Sequence, residues 1–264
     1  MSQREEAATA TLSLRNVSKA FGGLVAVRDC TFDIESGCIT AIVGPNGAGK
    51  STVFNLITGF IRPDAGEIIM AGENLVGMTP RKVFQRGIAR TFQGVRIFEG
   101  LTSLENLLMA GTSVQALPLL VRPRAAKQAE TKNLRKAWQV INEIGLVDSA
   151  NKPAGELGFA EQKLLAIGRL MMTDVTVLLL DEPLGGLDNR AVDGFVERLR
   201  NLVTSGNRTV CVVEHNLDAV RRIADRVVFM ANGEVAASGD VNEVLEREDL
   251  TRLYLGVVAT KGES

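Results

Sequence analysis

Hydrophobic and polar positions along the chain fall into three kinds of run. Leu12-Ser13-Leu14-Arg15-Asn16-Val17 and Thr31-Phe32-Asp33-Ile34-Glu35 alternate with a period of two, which predicts half-exposed strands. Residues 38–43, 176–180 and 209–213 are instead near-continuous apolar runs, the pattern of strands buried on both faces of a parallel sheet. Each of these three runs gives way to polar or glycine-rich chemistry: a glycine-rich turn after Val43, Asp181-Glu182, and Glu214-His215. Open parallel sheets bind ligands at the carboxyl ends of their strands, so the pattern alone places a site there.

Between 94 and about 165 the period lengthens to that of helices. Leu134, Ala137, Trp138, Ile141 and Ile144 recur at helical spacing, which assigns Trp138 to a core. Pro118, Pro123 and the basic residues Arg122, Arg124 and Lys127 read as a solvated loop and helix start. Upstream, Arg62-Pro63-Asp64-Ala65-Gly66 is a turn before a short strand at 67–70. Thr79-Pro80 is an N-cap with proline at the first helical position, for a helix through Arg86 that stops at Gly87. Residues 88–93 return as a strand ending in the amide of Gln93. Downstream, Asn189 is expected to cap a helix running to about Ser205 and closed by Gly206. Strands near 226–230 and 234–238 precede a charged helical tail.

The turn after the first apolar run reads Gly44-Pro45-Asn46-Gly47-Ala48-Gly49-Lys50-Ser51, and Thr52-Val53-Phe54-Asn55-Leu56-Ile57 suits a helix start. Strand, glycine-rich turn and helix N-terminus form an anion cradle. The glycines let backbone N–H groups face inward, and the helix dipole favours negative charge. Lys50 reaches β- and γ-phosphates and the Ser51 hydroxyl ligates Mg²⁺ in such a loop. A chance match is on the order of one in a hundred at ordinary glycine usage. The chain therefore carries a nucleoside triphosphate site. Asp181 after its apolar run suits a Mg²⁺ held through its water shell, and Glu182 suits polarisation of an attacking water. The fold class that follows is α/β, a P-loop (RecA-like) nucleotide-binding core with antiparallel β elements and an inserted α-helical subdomain. Its expected parts are core at 1–93 and 166–240, helical subdomain at 94–165, and a C-terminal helical tail at 241–264.

Composition narrows the class further. The chain has 264 residues, 45% of them apolar, enough for one large domain with a subdomain. A net charge of −1 marks no global nucleic-acid binder. Cys30, Cys38 and Cys211 show no CxxC spacing, and Cys38 and Cys211 fall in the expected buried strands, so they read as small core hydrophobes in a reducing compartment. Residues 1–10 carry no apolar signal core and no run approaches the ~18 residues that span a bilayer. Work at a membrane would mean docking onto a partner from the cytoplasmic face. Phe21, in Phe21-Gly22-Gly23-Leu24, is by position either a core plug or an adenine platform, with position favouring the plug.

Five elements stand in order: residues 44–51, Gln93, residues 157–162, Leu180-Asp181-Glu182-Pro183 through Leu187-Asp188, and His215. This order resembles the ATPase subunit of an ABC transporter over nearly the whole chain. Phe21-Gly22-Gly23-Leu24, Phe54-Asn55-Leu56-Ile57-Thr58-Gly59, Gly87-Ile88-Ala89-Arg90-Thr91-Phe92-Gln93, Val213-Glu214-His215-Asn216 and Tyr254-Leu255-Gly256 resemble the branched-chain amino-acid importer subfamily. The resemblance implies ATP and Mg²⁺ as cofactors, with Phe21 stacking on adenine and Gly44, Pro45, Asn46, Gly47, Ala48, Gly49, Lys50, Ser51 and Thr52 around the phosphates. It implies Glu182, His215 and Gln93 as catalytic residues, with Ser51, Gln93 and Asp181 at the metal and His215 at the γ-phosphate. Asp188 would lie at the interface with a second ATPase subunit. Partners would be that subunit, transmembrane permease subunits and, indirectly, an external substrate-binding protein. The subunit would sit peripherally on the cytoplasmic face, where ATP hydrolysis drives amino-acid uptake. Alternatives are an ABC ATPase for urea, lipid or polysaccharide, or a soluble ABC-type nucleotide-responsive protein.

One segment departs from the family pattern. The family signature reads Leu-Ser-Gly-Gly-Gln or a close variant, and its hydroxyl and N–H groups grip the γ-phosphate held by the opposite subunit. Here the segment is Leu157-Gly158-Phe159-Ala160-Glu161-Gln162. Gly158 lacks the hydroxyl, worth ~1.5–3 kcal/mol as a charge-assisted hydrogen bond. Ala160 adds a methyl where backbone approaches phosphate. Glu161 sets a carboxylate near a phosphate, at a cost of about 1 kcal/mol. A combined deficit of roughly 3 kcal/mol weakens closure about a hundredfold. The expectation is a heterodimer in which this chain's loop works against a partner's intact signature.

Overall fold

The computed structural model describes residues 10–91, 94–111, 123–204 and 208–254. They divide into two compact units, those within 1–90, 176–183 and 207–264, and those within 91–175 and 184–206.

The first unit holds both sheets. The alternating runs become a long hairpin, β1 (Ala10–Phe21) and β2 (Leu24–Glu35), whose inward residues Leu12, Leu14, Val27, Cys30, Phe32 and Ile34 are buried. The apolar run before the glycine-rich turn is β3 (Ile39–Val43), and the turn leads into α1 (Lys50–Ile57). β4 (Ala65–Met70) and β5 (Glu73–Asn74) complete an antiparallel sheet in the order β2-β1-β4-β5. Then come α2 (Pro80–Gln85) and β6 (Ile88–Arg90). Thr79 caps α2 by accepting from Lys82 N–H, and Gly87 follows at φ 96°, so this helix starts and stops on its sequence signals.

The second unit is helical: α3 (Ser103–Gly111), α4 (Pro123–Glu143), α5 (Phe159–Met171) and, after the chain's excursion through the first unit, α6 (Asn189–Thr204). Residues 166–175 and 184–206 thus pack with the helices, whereas the sequence boundaries put them in the core. α5 runs unbroken across position 166, and α6 packs its buried stripe against α4 and α5. Trp138 corrects a second expectation. Ala137, Val140, Ile141 and Ile144 form the buried stripe, while Leu134 and Trp138 are 41% and 40% exposed. At 100° per residue Trp138 lies roughly 110° round from the stripe's centre, on its solvent flank.

In the first unit the chain continues with β7 (Val177–Asp181), β8 (Thr209–Val213), α7 (Leu217–Ile223), β9 (Arg226–Ala231), β10 (Glu234–Asp240), α8 (Val241–Leu245) and α9 (Glu248–Tyr254). The second sheet has the order β10-β9-β3-β8-β7-β6, parallel except for β10. Every residue of β3 and β8 is buried, which is why their sequences show apolar runs and no alternation. The described tail residues belong to this unit. Ser205, Gly206, Leu255, Gly256, Pro118 and Arg122 lie outside the described residues.

The cysteines differ in accessibility. Cys30 and Cys211 are buried, but Cys38 precedes β3 and is partly exposed, contrary to its expected place inside the strand. Burial pushes the Cys30 thiol up to about 12 and raises that of Cys211 as well. Burial raises Cys38 too, reinforced by Glu35 and Asp225 and opposed by Arg226. One thiol in the native chain should therefore react with a water-soluble disulfide reagent, at a rate still rising above the ordinary thiol range, and Cys38→Ser should abolish it. In denaturant all three cysteines should react.

Candidate functional site

The parallel strands place their last residues along one edge of the sheet, and the candidate chemistry collects there. β3 runs into Gly44 at φ 146°, and Gly49 at φ 98° is the N-cap of α1. These two glycines are required by close approach as well as by φ. A Cβ on Gly44 would stand 2.0 Å from the Met230 carbonyl oxygen, and one on Gly49 2.4 Å from that of Ala26. Gly47, also at positive φ, has nothing within 4 Å of its Cβ position. No side chain caps α1, so its N-terminus is left uncapped, as an anion cradle requires.

Lys50 curls back over the loop. Its ammonium donates to the carbonyls of Gly44 at 2.7 Å and Pro45 at 2.9 Å, and the residue is buried. Burial lowers its pKa from the usual lysine value, opposed by the charges of Glu182 and Asp181. That opposition is the electrostatic signature of a cation between the loop and two carboxylates. Ala48 is buried and Ser51 exposed at the start of α1, beside Thr52.

The two carboxylates at the end of β7 differ sharply. The Asp181 side chain is 5% exposed and ion-paired to Arg90 at 2.7 Å. Glu182 is 38% exposed and adopts φ 49°, a left-handed conformation that costs a non-glycine residue about 1–2 kcal/mol. Its N–H donates to the Val213 carbonyl at 2.9 Å, which holds the strained turn against β8. His215, the chain's single histidine, follows β8 and brings Nδ1 to 3.5 Å from Glu182 Oε1. The site thus pairs a buried, fixed carboxylate with an open, strained one beside an imidazole.

Phe21 ends β1 and is 45% exposed, with the Lys19 ammonium 5.5 Å from its ring centroid. The position-based core plug is therefore wrong: the ring is exposed, with an ammonium over one face. Gln93 lies outside the described residues.

In the helical unit the signature segment opens α5. Gly158 is the N-cap and has no side chain to offer. Glu161 reaches back instead: Oε2 accepts from Gly158 N–H at 2.9 Å and Oε1 from the Ser149 hydroxyl at 3.1 Å. Both oxygens are engaged within the unit, so Glu161 occupies the helix N-terminus, where a carboxylate is favoured. Phe159, 49% exposed, lies 5.0 Å from the Lys163 ammonium, which donates to the Gly185 carbonyl at 2.6 Å. A Cβ on Gly186 would come to 3.0 Å from the Phe159 ring. Ala160 stands in the first turn beside them. Asp188, in the same unit, caps α6: its Oδ1 accepts from Arg190 N–H at 3.0 Å and Ala191 N–H at 2.8 Å. Asp188 is therefore the cap that had been assigned to Asn189.

Sequence reasoning missed Arg90 and Asn55. Each is a polar residue in an otherwise apolar stretch, Ile88-Ala89 and Leu56-Ile57, and a buried cation requires a buried partner. That was the available signal.

The comparisons with known proteins now bear on this geometry. Residues 27–185, spanning the glycine-rich loop, the signature segment and the Asp181-Glu182 turn, match the family model described as ABC transporter. The chain belongs to the ABC transporter family. It is 35% identical over 248 residues, 93% of its length and 97% of the relative's, to the high-affinity branched-chain amino acid transport ATP-binding protein BraF of Pseudomonas aeruginosa. Among solved structures it resembles the ADP conformation of MJ1267, an ATP-binding cassette of an ABC transporter, with a TM-score of 0.81 and 28% identity, covering 94% of this chain and 99% of that one. It also resembles the dimeric post-hydrolysis state of the ATP-binding cassette MJ0796 bound to ADP and Pi, with a TM-score of 0.67 and 26% identity over 87% and 98% of the two chains.

This ABC family loop is sensitive to single methyl groups in a graded way. Gly47→Ala should cost only the positive-φ strain, about 1–2 kcal/mol, and lower the melting temperature by about 2–8 °C. Gly44→Ala adds a steric clash with Met230 and should lower it at least twice as far, with nucleotide binding lost in calorimetry. Equal melting temperatures for the two variants would remove close approach as the reason for Gly44.

Proposed function

We propose that the chain is the ATP-binding and ATP-hydrolysing subunit of an importer for branched-chain or related amino acids. The observation that carries this reading is the coincidence of a complete phosphate-site edge, Lys50, Ser51, Asp181, Glu182 and His215, with 35% identity along nearly the whole of BraF. Among the described residues no helix is long and apolar enough to cross a membrane. Transport then needs permease subunits, which also hold the cargo specificity, and the subunit docks peripherally at their cytoplasmic side.

Mg²⁺ fits the donors present. Among the described residues no three His, Cys, Asp or Glu cluster as a dedicated metal cage. That suits Mg²⁺, which keeps most of its waters and uses one or two protein oxygens together with substrate phosphates. Ser51 and Asp181 would hold it, and it would neutralise charge on the phosphates. Lys50 would leave the loop carbonyls for the phosphate oxygens, a stronger charge-assisted partner. Glu182 would orient and polarise the attacking water, His215 would hold the γ-phosphate and Phe21 would stack on the adenine. Glu182→Gln should leave nucleotide affinity within about twofold and cut turnover by about 100-fold or more in the assembled transporter. Unchanged turnover would remove Glu182 as the catalytic carboxylate, and failure of the reconstituted complex to move leucine, isoleucine or valine would remove the cargo assignment.

The dimeric cassette neighbour supports pairing with a second ATPase subunit, and the altered signature favours a heterodimer. Gly158 has ordinary φ, −62°, and its Cβ position meets only Glu161 Oε2 at 3.5 Å, so a serine fits there. Gly158→Ser together with Ala160→Gly should raise ATP turnover of the purified chain alone by about tenfold or more, the recovery of one charge-assisted hydrogen bond. Brisk turnover by the unaltered chain as a homodimer would end the asymmetric reading.

A further inference from the structure

The one charged side chain of β6 is placed by the sheet itself. Arg90 lies opposite Leu179 in the parallel β6–β7 pairing, so its side chain shares a face with Leu179 and with Asp181 two residues on. The arm runs forward along β7 and reaches the Asp181 carboxylate at 2.7 Å, with the two side chains 8% and 5% exposed. A second guanidinium nitrogen donates to Asn55 Oδ1 at 2.6 Å, and the guanidinium carbon sits 5.3 Å from the Phe54 ring centroid. Phe54 and Asn55 belong to α1, the helix that opens on Lys50 and Ser51. A single planar, rigid donor fork therefore links the end of β6, the end of β7 and the phosphate-loop helix.

We propose that Arg90, braced by Asn55, is a positioning residue that sets the orientation of Asp181 toward the metal–nucleotide complex. This rests on the reading of Asp181 as a Mg²⁺ ligand given above. The chemistry favours orientation over adhesion. A buried ion pair adds little net stability relative to apolar residues of the same shape, because desolvation offsets attraction. What it supplies is direction: guanidinium nitrogens present hydrogens in fixed directions, so one carboxylate oxygen is pinned relative to α1. A metal held by the Ser51 hydroxyl would then meet an Asp181 carboxylate whose direction is set by the same helix that carries Ser51. Partners that orient metal-ligating carboxylates act in this way.

The test uses the full chain saturated with a non-hydrolysable ATP analogue and titrated with Mn²⁺, bound metal being read by electron paramagnetic resonance. Nucleotide affinity is measured separately in EDTA. Arg90→Gln should weaken Mn²⁺ binding by about 10–100-fold, the range for partners of ligating groups. Asn55→Ala keeps the ion pair and removes only the brace; it should weaken Mn²⁺ several-fold. Arg90→Lys, which keeps the charge but loses the planar fork, should fall between them. Affinity in EDTA should stay at the wild-type level in all three. Asp181→Asn is the control and should lose the Mn²⁺ site. Wild-type Mn²⁺ affinity in a folded Arg90→Gln protein, with the control weakened, overturns the role of Arg90 alone. If Arg90→Gln does not fold, unshifted Mn²⁺ affinity in Asn55→Ala overturns the brace and the proposal with it. Wild-type affinity in Asp181→Asn overturns the metal reading itself.

Discussion

Burial on both faces is the constraint from which the rest of the site follows. β3 and β8 expose none of their residues, so neither carries a charged group along its length, and charged chemistry begins only where the strands stop. Parallel pairing then aligns those stops. The glycine-rich loop after Val43, the carboxylates after Leu180 and the histidine after Glu214 are far apart in sequence and adjacent at one edge. The same constraint explains why Asp181, whose side chain is 5% exposed, comes with a buried cation. An unpaired carboxylate buried there would carry the full cost of desolvation, which the Arg90 guanidinium offsets.

What was legible in the sequence was whatever local chemistry determines. Residues 44–51 need no tertiary context to be read, because strand, glycine-rich turn and helix N-terminus are contiguous. α2 was equally plain, since Thr79, Pro80 and Gly87 mark its ends directly. The misreadings share one physical cause, dependence on what lies across space. Trp138 has the spacing of a core residue yet sits on the flank, since a period tells which residues share a face without telling how wide the covered stripe is. Asp188 and Asn189 are both good caps, and only the turn geometry decides between them. Arg90 looked like one polar residue in a short strand until β7 placed Asp181 within its reach. Phe21 was misplaced by position alone and moved out of the core only by the family resemblance, because exposure at the end of β1 depends on the turn of the β1–β2 hairpin.

The carboxylate at residue 182 illustrates the reverse dependence, of function on strain. A glutamate at φ 49° is held there by its N–H to Val213, so β8 sets the angle of the turn that follows β7. The exposed side chain near His215 is consequently fixed at its root and free at its tip. Asp181 next to it is the opposite, fixed at its tip by Arg90. Adjacent carboxylates thereby acquire different duties, one to hold position and one to meet solvent, without any difference in chemical type.

The α5 N-terminus raises a question of competition. The first N–H groups of a helix favour an anion, and here Glu161 already supplies one, tethered three residues from the Gly158 N–H it engages and held also by Ser149. A phosphate from another subunit must displace that carboxylate before it can use the same N–H. The tether works at high effective concentration, and the displaced carboxylate must find a new partner or return to water. The missing Gly158 hydroxyl removes the group that would tip the balance toward phosphate. The glycine-rich loop of this chain carries no internal carboxylate at its helix N-terminus, while its signature helix would enter any dimer with its anion site partly filled from within. Under the heterodimer proposed above, that difference between the two ends of one polypeptide would make its two ATP sites unequal.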